Sequence, residues 1–348
     1  MIRKMRAWKE LMKLGLNVSK LRKDIDSFFR GNILGVLRNE GWFDYLQSPR
    51  TLMQIAAEFR YTEIDFLEYL IGILIEDEVI QENDGQLFME GPIEFDWTCP
   101  SCFDDAMREL WVDHARAIPD RLRGRCLQFT GGLNLFNWDD ALSNKLYEQI
   151  RRAAFAFSDA LKEPVRFLDV GSGNGRGTAA IWSYYYENDF FFPGSPMQIV
   201  GIDPNEKLLR IASEEFPQMV SEYNGHDLSI KDTVNEFPVE FRPGYAERIP
   251  YEDESFDIVF ASQVLHWTEP KLAITEMMRV LKPGGFLFGT QNFYPDTNMY
   301  NEAHFKVVEG VHGFFSKDDM EEWAMESGAI AFETATPISV FKVTKGPS

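Results

Sequence analysis

Apolar and polar positions along the chain fall into two regimes. Up to about residue 163 the apolar residues recur three and four apart, the helical period; beyond it, short apolar runs alternate with helical stretches. Ile2, Met5, Trp8, Met12 and Leu16 line one stripe with Lys and Arg between them, which predicts a basic amphipathic helix within residues 1–30. Residues 31–91 then predict three short helices and a hairpin. The first, over 32–46, carries Ile33, Leu34, Val36, Leu37, Trp42 and Phe43. The second, over 52–59, follows the start signal Ser48-Pro49-Arg50-Thr51, and the third, over 62–78, carries Leu67, Leu70, Leu74 and Ile75. Asn83-Asp84-Gly85 supplies the turn between strands at 79–82 and 86–89. Residues 92–163, with Trp97, Trp111, Phe136 and Trp138, read as a helical linker and lid that ends in a long helix through Leu142 to Leu161. From Val165 onward strand, turn and helix alternate, as in a doubly wound α/β sheet. The expected domains are therefore 1–91, 92–163 and 164–348.

Composition narrows the partners. With 348 residues, 45% of them hydrophobic, the chain can bury more than one core. A formal charge of −20 repels polyanions, so nucleic acid is not expected as a partner. The predicted third helix of the N-terminal region holds Glu63, Asp65, Glu68, Glu76 and Asp77 and no basic residue, which argues against a DNA-reading helix there. No run reaches the roughly 18 to 20 apolar residues of a membrane span, and no signal-peptide pattern opens the chain, so a cytoplasmic protein is expected. The basic stripe of residues 1–30 could lie on an anionic membrane, although packing against a neighbouring subunit or domain is the commoner fate. Cys99, Cys102 and Cys126 are odd in number, which speaks against a disulfide framework; Cys99-Pro-Ser-Cys102 has metal-clip spacing but lacks a second ligand pair, so no metal site is expected.

Candidate chemistry begins where the first C-terminal strand, Val165 to Val170, runs into Gly171-Ser172-Gly173-Asn174-Gly175. Glycines allow a sharp turn and close approach to a ligand, and the helix that follows offers free N–H groups. Dinucleotide sites also use such turns, but their third glycine would fall at Arg176. A second strand, 198–203, ends in Asp203, whose two oxygens suit a ribose diol, with Pro204 behind it. A third segment reads Tyr245-Ala246-Glu247-Arg248. A fourth runs Ser255 to Trp267 through Ser262, Gln263 and His266, and is followed by a helix, Arg279-Val-Leu-Lys-Pro-Gly-Gly285 and a strand at 286–290.

Taken together, 165–290 resembles the ubiquinone-biosynthesis type of class I methyltransferase domain, which uses S-adenosylmethionine (SAM). The stretch "GVLRNEGWFDYL" to "QENDGQLFM" resembles the winged-helix-like dimerisation domain of small-molecule O-methyltransferases. The resemblance implies a Rossmann-like, doubly wound seven-stranded α/β sheet behind a mostly helical N-terminal domain, with helix 316–328 and strands near Phe332 and 340–344 completing it. It implies SAM as cofactor, held by Asp169, Gly171, Ser172, Gly173, Gly175, Asp203, Pro204, Tyr245, Ala246, Glu247, Ser262, Gln263 and Trp267. Where relatives read Gly-Asp-Ala for the adenine contact, this chain has Gly244-Tyr245-Ala246, a departure. "VLHW" resembles the "LHDW" segment of O-methyltransferases, implying His266 as catalytic base, while many relatives merely line the pocket with that position. A homodimer and a hydrophobic small-molecule acceptor, methylated at oxygen or carbon, are the expected state and substrate. A SAM-binding regulatory protein without turnover and, further off, a dinucleotide-dependent oxidoreductase are the alternatives. Two stretches, Tyr184 to Pro196 and Pro217 to Pro238, look inserted, and the aromatics of the first are expected at an interface.

Overall fold

The computed structural model describes residues 2–12, 18–93, 97–128, 144–160, 166–192, 194–226, 230–335 and 340–347. Phe136, Trp138, Leu161 and Val165 of the predicted linker and first strand, and Leu16 of the N-terminal stripe, lie outside them. The chain divides into two compact units: one of Met1–Gly15, Lys145–Asp296 and Phe314–Ser348, the other of Leu16–Asn144 and Thr297–Gly313. These units are discontinuous in sequence, whereas the expected domains, bounded at 91 and 163, are continuous segments.

The first unit contains helices α1 (Ile2–Met12) and α2 (Lys145–Ser158), then β1 (Arg166–Val170), α3 (Arg176–Tyr186), β2 (Gln198–Asp203), α4 (Glu206–Tyr223), α5 (Ile230–Glu236), β3 (Glu240–Pro243), β4 (Phe256–Ser262), α6 (Pro270–Val280), β5 (Leu281–Thr290), α7 (Lys317–Glu326), β6 (Ala329–Ala335) and β7 (Val340–Lys345). The strands form one seven-stranded sheet in the order β6-β7-β5-β4-β1-β2-β3. β1 to β5 are parallel, and β7 is antiparallel to both β5 and β6. The central strands are apolar on both faces because helices cover both. Phe167 of β1 joins Phe155 of α2, Phe260 and Phe288 in one buried cluster, while Leu168 and Val170 join Val259, Leu287 and Met277 in the other. Strand order turns back between β1 and β4, so their carboxyl ends flank a crevice, the place where open α/β sheets bind ligands.

Of the α1 stripe, Ile2, Met5 and Met12 are 67%, 65% and 59% exposed, while Trp8 is half-buried against the core beside buried Ala7, and Arg3 pairs with Asp159 and Glu333. Sequence and structure part company at two points in this unit. The aromatics of 184–192 are not an exposed insertion: Tyr184 and Tyr185 close α3 inside the core, and Phe191 stacks on Trp182 at 4.5 Å and lies 5.0 Å from Phe237. Only Phe192 among them is exposed. Pro217 sits inside α4 without ending it, so the second stretch is a helix continued and followed by another. The Ser316–Asp319 capping box forms as expected.

In the second unit, helices Val18–Glu40, Trp42–Tyr45, Leu52–Phe59 and Ile64–Glu76 precede the hairpin Gln81–Asn83/Gln86–Phe88, and Asp105–Arg116, Ile118–Leu122 and Met299–Phe305 follow. The predicted helix over 32–46 is thus the end of a longer one, broken at Gly41, where φ is +95°. Asp84 and Gly85 both take positive φ, as a primed hairpin turn demands. Phe29, Trp111 and Phe305 make an edge-to-face core around it. Among the described residues no helix is long and apolar enough to cross a membrane, no cluster of His, Cys, Asp and Glu could hold a metal ion, and the three cysteines are unbridged.

Candidate active site at the strand tips

The loop after β1 is built on three left-handed glycines, Gly171 (φ +70°), Gly173 (φ +54°) and Gly175 (φ +88°). Each has its own reason. A Cβ on Gly171 would come within 2.5 Å of Val264 Cγ2 just past β4, and one on Gly175 within 2.9 Å of Ala212 Cβ in α4. Nothing lies within 4 Å of a Cβ built on Gly173, so its backbone faces open space. The amides of Gly171 and Ser172 donate to the Ile202 carbonyl at 2.8 and 2.9 Å, which ties the loop to the end of β2. Gly175 begins α3 with no side-chain cap, leaving the first N–H groups of that helix toward the loop.

Two carboxylates converge on this loop. Asp169, opposite Gly201 on β2, is buried and accepts a 2.6 Å hydrogen bond from Thr178 Oγ1. Burial pushes its pKa up to about 7, against the pull of Thr178 and of Arg151, with the nearby charge of Asp203 adding to the rise. Asp203 accepts the amides of Gly173 (3.0 Å to Oδ2) and Asn205 (2.9 Å to Oδ1). Its pKa is also raised by burial, in part offset by those two N–H groups. Asn205 in turn caps α4. Pro204 is exposed beside it.

Further along the crevice, Gly244 donates to the Asp203 carbonyl at 3.2 Å and brings the end of β3 beside β2. The following tight turn pairs Tyr245 with Arg248; Tyr245 is 57% exposed while Ala246 is buried. Glu247 Oε1 accepts the Glu269 amide at 3.0 Å, at the start of α6. On the other side, Ser262 Oγ and Thr290 Oγ1 meet at 2.8 Å across the tips of β4 and β5. Gln263 takes φ +55° and donates its amide to the Thr290 carbonyl. Gln263 Oε1 and Ser172 Oγ are buried without a hydrogen-bond partner, which is uncommon unless a ligand supplies one.

His266 lies in a short 3₁₀ turn, Leu265–Trp267, and is fully buried. Its ring centroid is 5.2 Å from Trp267 and 5.8 Å, edge-on, from Phe314. Burial lowers its pKa to about 3, with the Gln291 side chain opposing the shift, so the imidazole is neutral at physiological pH. Every site residue read from the sequence thus lies at or just beyond the carboxyl ends of β1 to β4. Those that sequence reasoning missed are Thr178, Arg151, Thr290 and Gln291. Thr290 and Gln291 carried a signal, since they end the next parallel strand after β4; Arg151 carried none, because only the docking of α2 brings its charge near Asp169.

Residues 168–289 match the profile of a family described as a methyltransferase domain. An uncharacterized methyltransferase of Schizosaccharomyces pombe is 32% identical over 128 residues, 36% of this chain and 40% of that protein. The demethylmenaquinone methyltransferase of Staphylococcus aureus is 28% identical over 173 residues, 48% of this chain and 61% of its own length. The match thus spans 40% and 61% of these relatives' lengths, under two thirds in both. In fold, the CurJ carbon methyltransferase superposes with a TM-score of 0.70 at 16% identity, covering 97% of this chain and 96% of that one.

Proposed function

We propose that this chain, which belongs by its 168–289 domain to the class I SAM-dependent methyltransferases, transfers a methyl group to oxygen or carbon of a hydrophobic small-molecule acceptor. SAM, when bound, supplies an electrophilic methyl carbon on a sulfonium. What remains for the protein is to bind, align and deprotonate in a site closed to water. The Gly171–Gly175 loop would cradle the methionine part, Asp169 its ammonium, and Asp203 the ribose diol; Tyr245 and Ala246 would border the adenine. The loop's left-handed glycines, the open face at Gly173 and the two orphaned polar atoms, Ser172 Oγ and Gln263 Oε1, are the observations that fit such a ligand.

His266 would meet the acceptor, with Trp267 and Phe314 making that end of the crevice apolar. Burial keeps it neutral and also disfavours its cation, so to accept a proton from a hydroxyl or an acidic carbon it would need the bound acceptor to stabilise the imidazolium as the methyl group is transferred. The single observation that carries this reading is the convergence of Asp169, the glycine loop and Asp203 at adjacent strand tips, with His266 beyond the tip of β4. The homodimer, and a dimerisation role for the helices and hairpin of 31–91, belong to the same proposal.

The test is transfer of label from methyl-labelled SAM to phenols and 1,3-dicarbonyl compounds of graded hydrophobicity. Labelled product that partitions into organic solvent is expected. Tight binding of S-adenosylhomocysteine with no labelled product from any acceptor would overturn transfer and leave a SAM-binding protein.

A further inference from the structure

Helix α1 (Ile2–Met12) turns toward solvent a face that the fold around it does not use. Ile2, Met5 and Met12 are exposed, whereas Ala7 is buried and Trp8 packs half-buried against the core of the sheet. At 3.6 residues per turn the three exposed side chains fall within an arc of about 80°, on the side opposite Ala7. Lys9 falls inside the same arc, and Glu10, the one acid of the helix, falls outside it. Arg3 and Arg6 are engaged by Asp159 and Glu333. Lys4 and Lys9 are exposed and form no ion pair among the described residues. The solvent side of α1 is therefore apolar and cationic, in a chain whose formal charge is −20.

Charge and shape together indicate what covers this stripe. A second copy of the helix would lay Lys9 against Lys9, and like charges repel. A single convex helix offers a folded partner little complementary surface, whereas a fluid bilayer moulds itself to one. We infer that α1 is an interfacial membrane-binding helix: Ile2, Met5 and Met12 enter the acyl boundary of an anionic bilayer, and Lys9 reaches back along its flexible stem to the lipid phosphates, with Lys4 farther round. Repulsion between those phosphates and the acidic bulk of the protein is screened beyond about 10 Å at 0.1 M salt, so the charges on α1 itself decide the contact. The helix lies on the membrane and does not cross it, in keeping with its 11 residues. This inference goes beyond methyl transfer and does not depend on it.

The experiment is co-sedimentation of the full chain with sucrose-loaded vesicles, either phosphatidylcholine alone or phosphatidylcholine with about one-third phosphatidylserine. Wild type should sediment with the mixed vesicles and bind the neutral ones at least about fivefold more weakly. Met5→Glu should weaken binding to the mixed vesicles by at least about tenfold, and Met5→Leu should restore it. Lys9→Glu should weaken it by at least about fivefold, less so as salt is raised. Thermal melting of all three variants should match wild type, because the substituted side chains are exposed. Wild type that stays in solution with the mixed vesicles would overturn the inference, as would binding indifferent to Met5→Glu or equal on the two vesicle types. Light scattering that shows a dimer dissolved by Met5→Glu would overturn it too, since a second copy would then cover the stripe.

Discussion

The two sides of the crevice solve opposite problems. At the tips of β1 and β2 two acids are crowded into a buried loop, and both are pushed toward their protonated forms, Asp169 to about 7. At the tips of β4 and β5 the polar groups are a histidine, two carboxamides and two hydroxyls, and the titratable one is pushed toward its deprotonated form, which for a histidine, as protonation is for the acids, is the uncharged one. Burial drives both shifts, since it penalises whichever form carries charge. The acidic side is short of a cation, which a ligand ammonium would supply. The neutral side suits an acceptor that arrives uncharged. On the proposed function, one crevice would thereby separate holding a charged cofactor from handling an apolar acceptor.

That contrast can be broken by substitution, and the largest effect should come on the neutral side. His266→Gln should slow methyl transfer by about 100- to 10,000-fold while S-adenosylhomocysteine affinity changes less than about twofold, measured by labelled transfer and calorimetry. A parallel loss of both would place His266 on the cofactor side. Next in size, Asp203→Ala removes the acceptor of the Gly173 and Asn205 amides and, on the proposed binding mode, of the ribose hydroxyls, and should weaken S-adenosylhomocysteine by about 10- to 100-fold. Gly173→Val should act similarly on binding yet cost the fold only about 1–2 kcal/mol for its left-handed φ, because no neighbour obstructs the side chain.

The pH dependences should differ in the two places. Asp169 titrates near 7 in the free protein, so it is protonated below that, and a ligand ammonium needs it ionised. Affinity should therefore fall by about tenfold for each pH unit below about 7, and Asp169→Asn should bind more weakly with a flat profile. For His266 the sign concerns stability. The unfolded chain takes up a proton near 6.5 that the folded imidazole refuses until about 3, so stability is present above 6.5 and falls as pH drops through that window. Chemical denaturation should show His266→Gln losing less, by up to about 1.4 kcal/mol per pH unit. His114 and His304, lowered by burial to about 4 and 3, contribute in the same direction from the second unit and are untouched by that change.

Much of this contrast was legible in the residues before any coordinates. The glycines, Asp169 and Asp203 announce themselves because strand-end positions in an α/β sheet are set by short-range patterns, and the tight turn admits few other residues. The turn residues Asp84 and Gly85 and the Ser316–Asp319 cap were readable for the same local reason. What the pattern could not give was tertiary docking. Arg151 and Gln291 reach the site only through the packing of α2 and the register of β5 against β4, where Ser262 sits opposite Thr290. The aromatics after Trp182 read as an insertion because a run of Tyr and Phe looks the same whether it closes a helix in the core or decorates a loop.

Calorimetric titration of the purified chain with S-adenosylhomocysteine, and separately with NAD, bears most directly on the assignment of the β1–β2 tips. One molar equivalent of S-adenosylhomocysteine should bind with measurable heat, weakened in Asp203→Ala and retained in His266→Gln, and NAD should give none. Silence with S-adenosylhomocysteine, or NAD binding that Asp203→Ala abolishes, would contradict it.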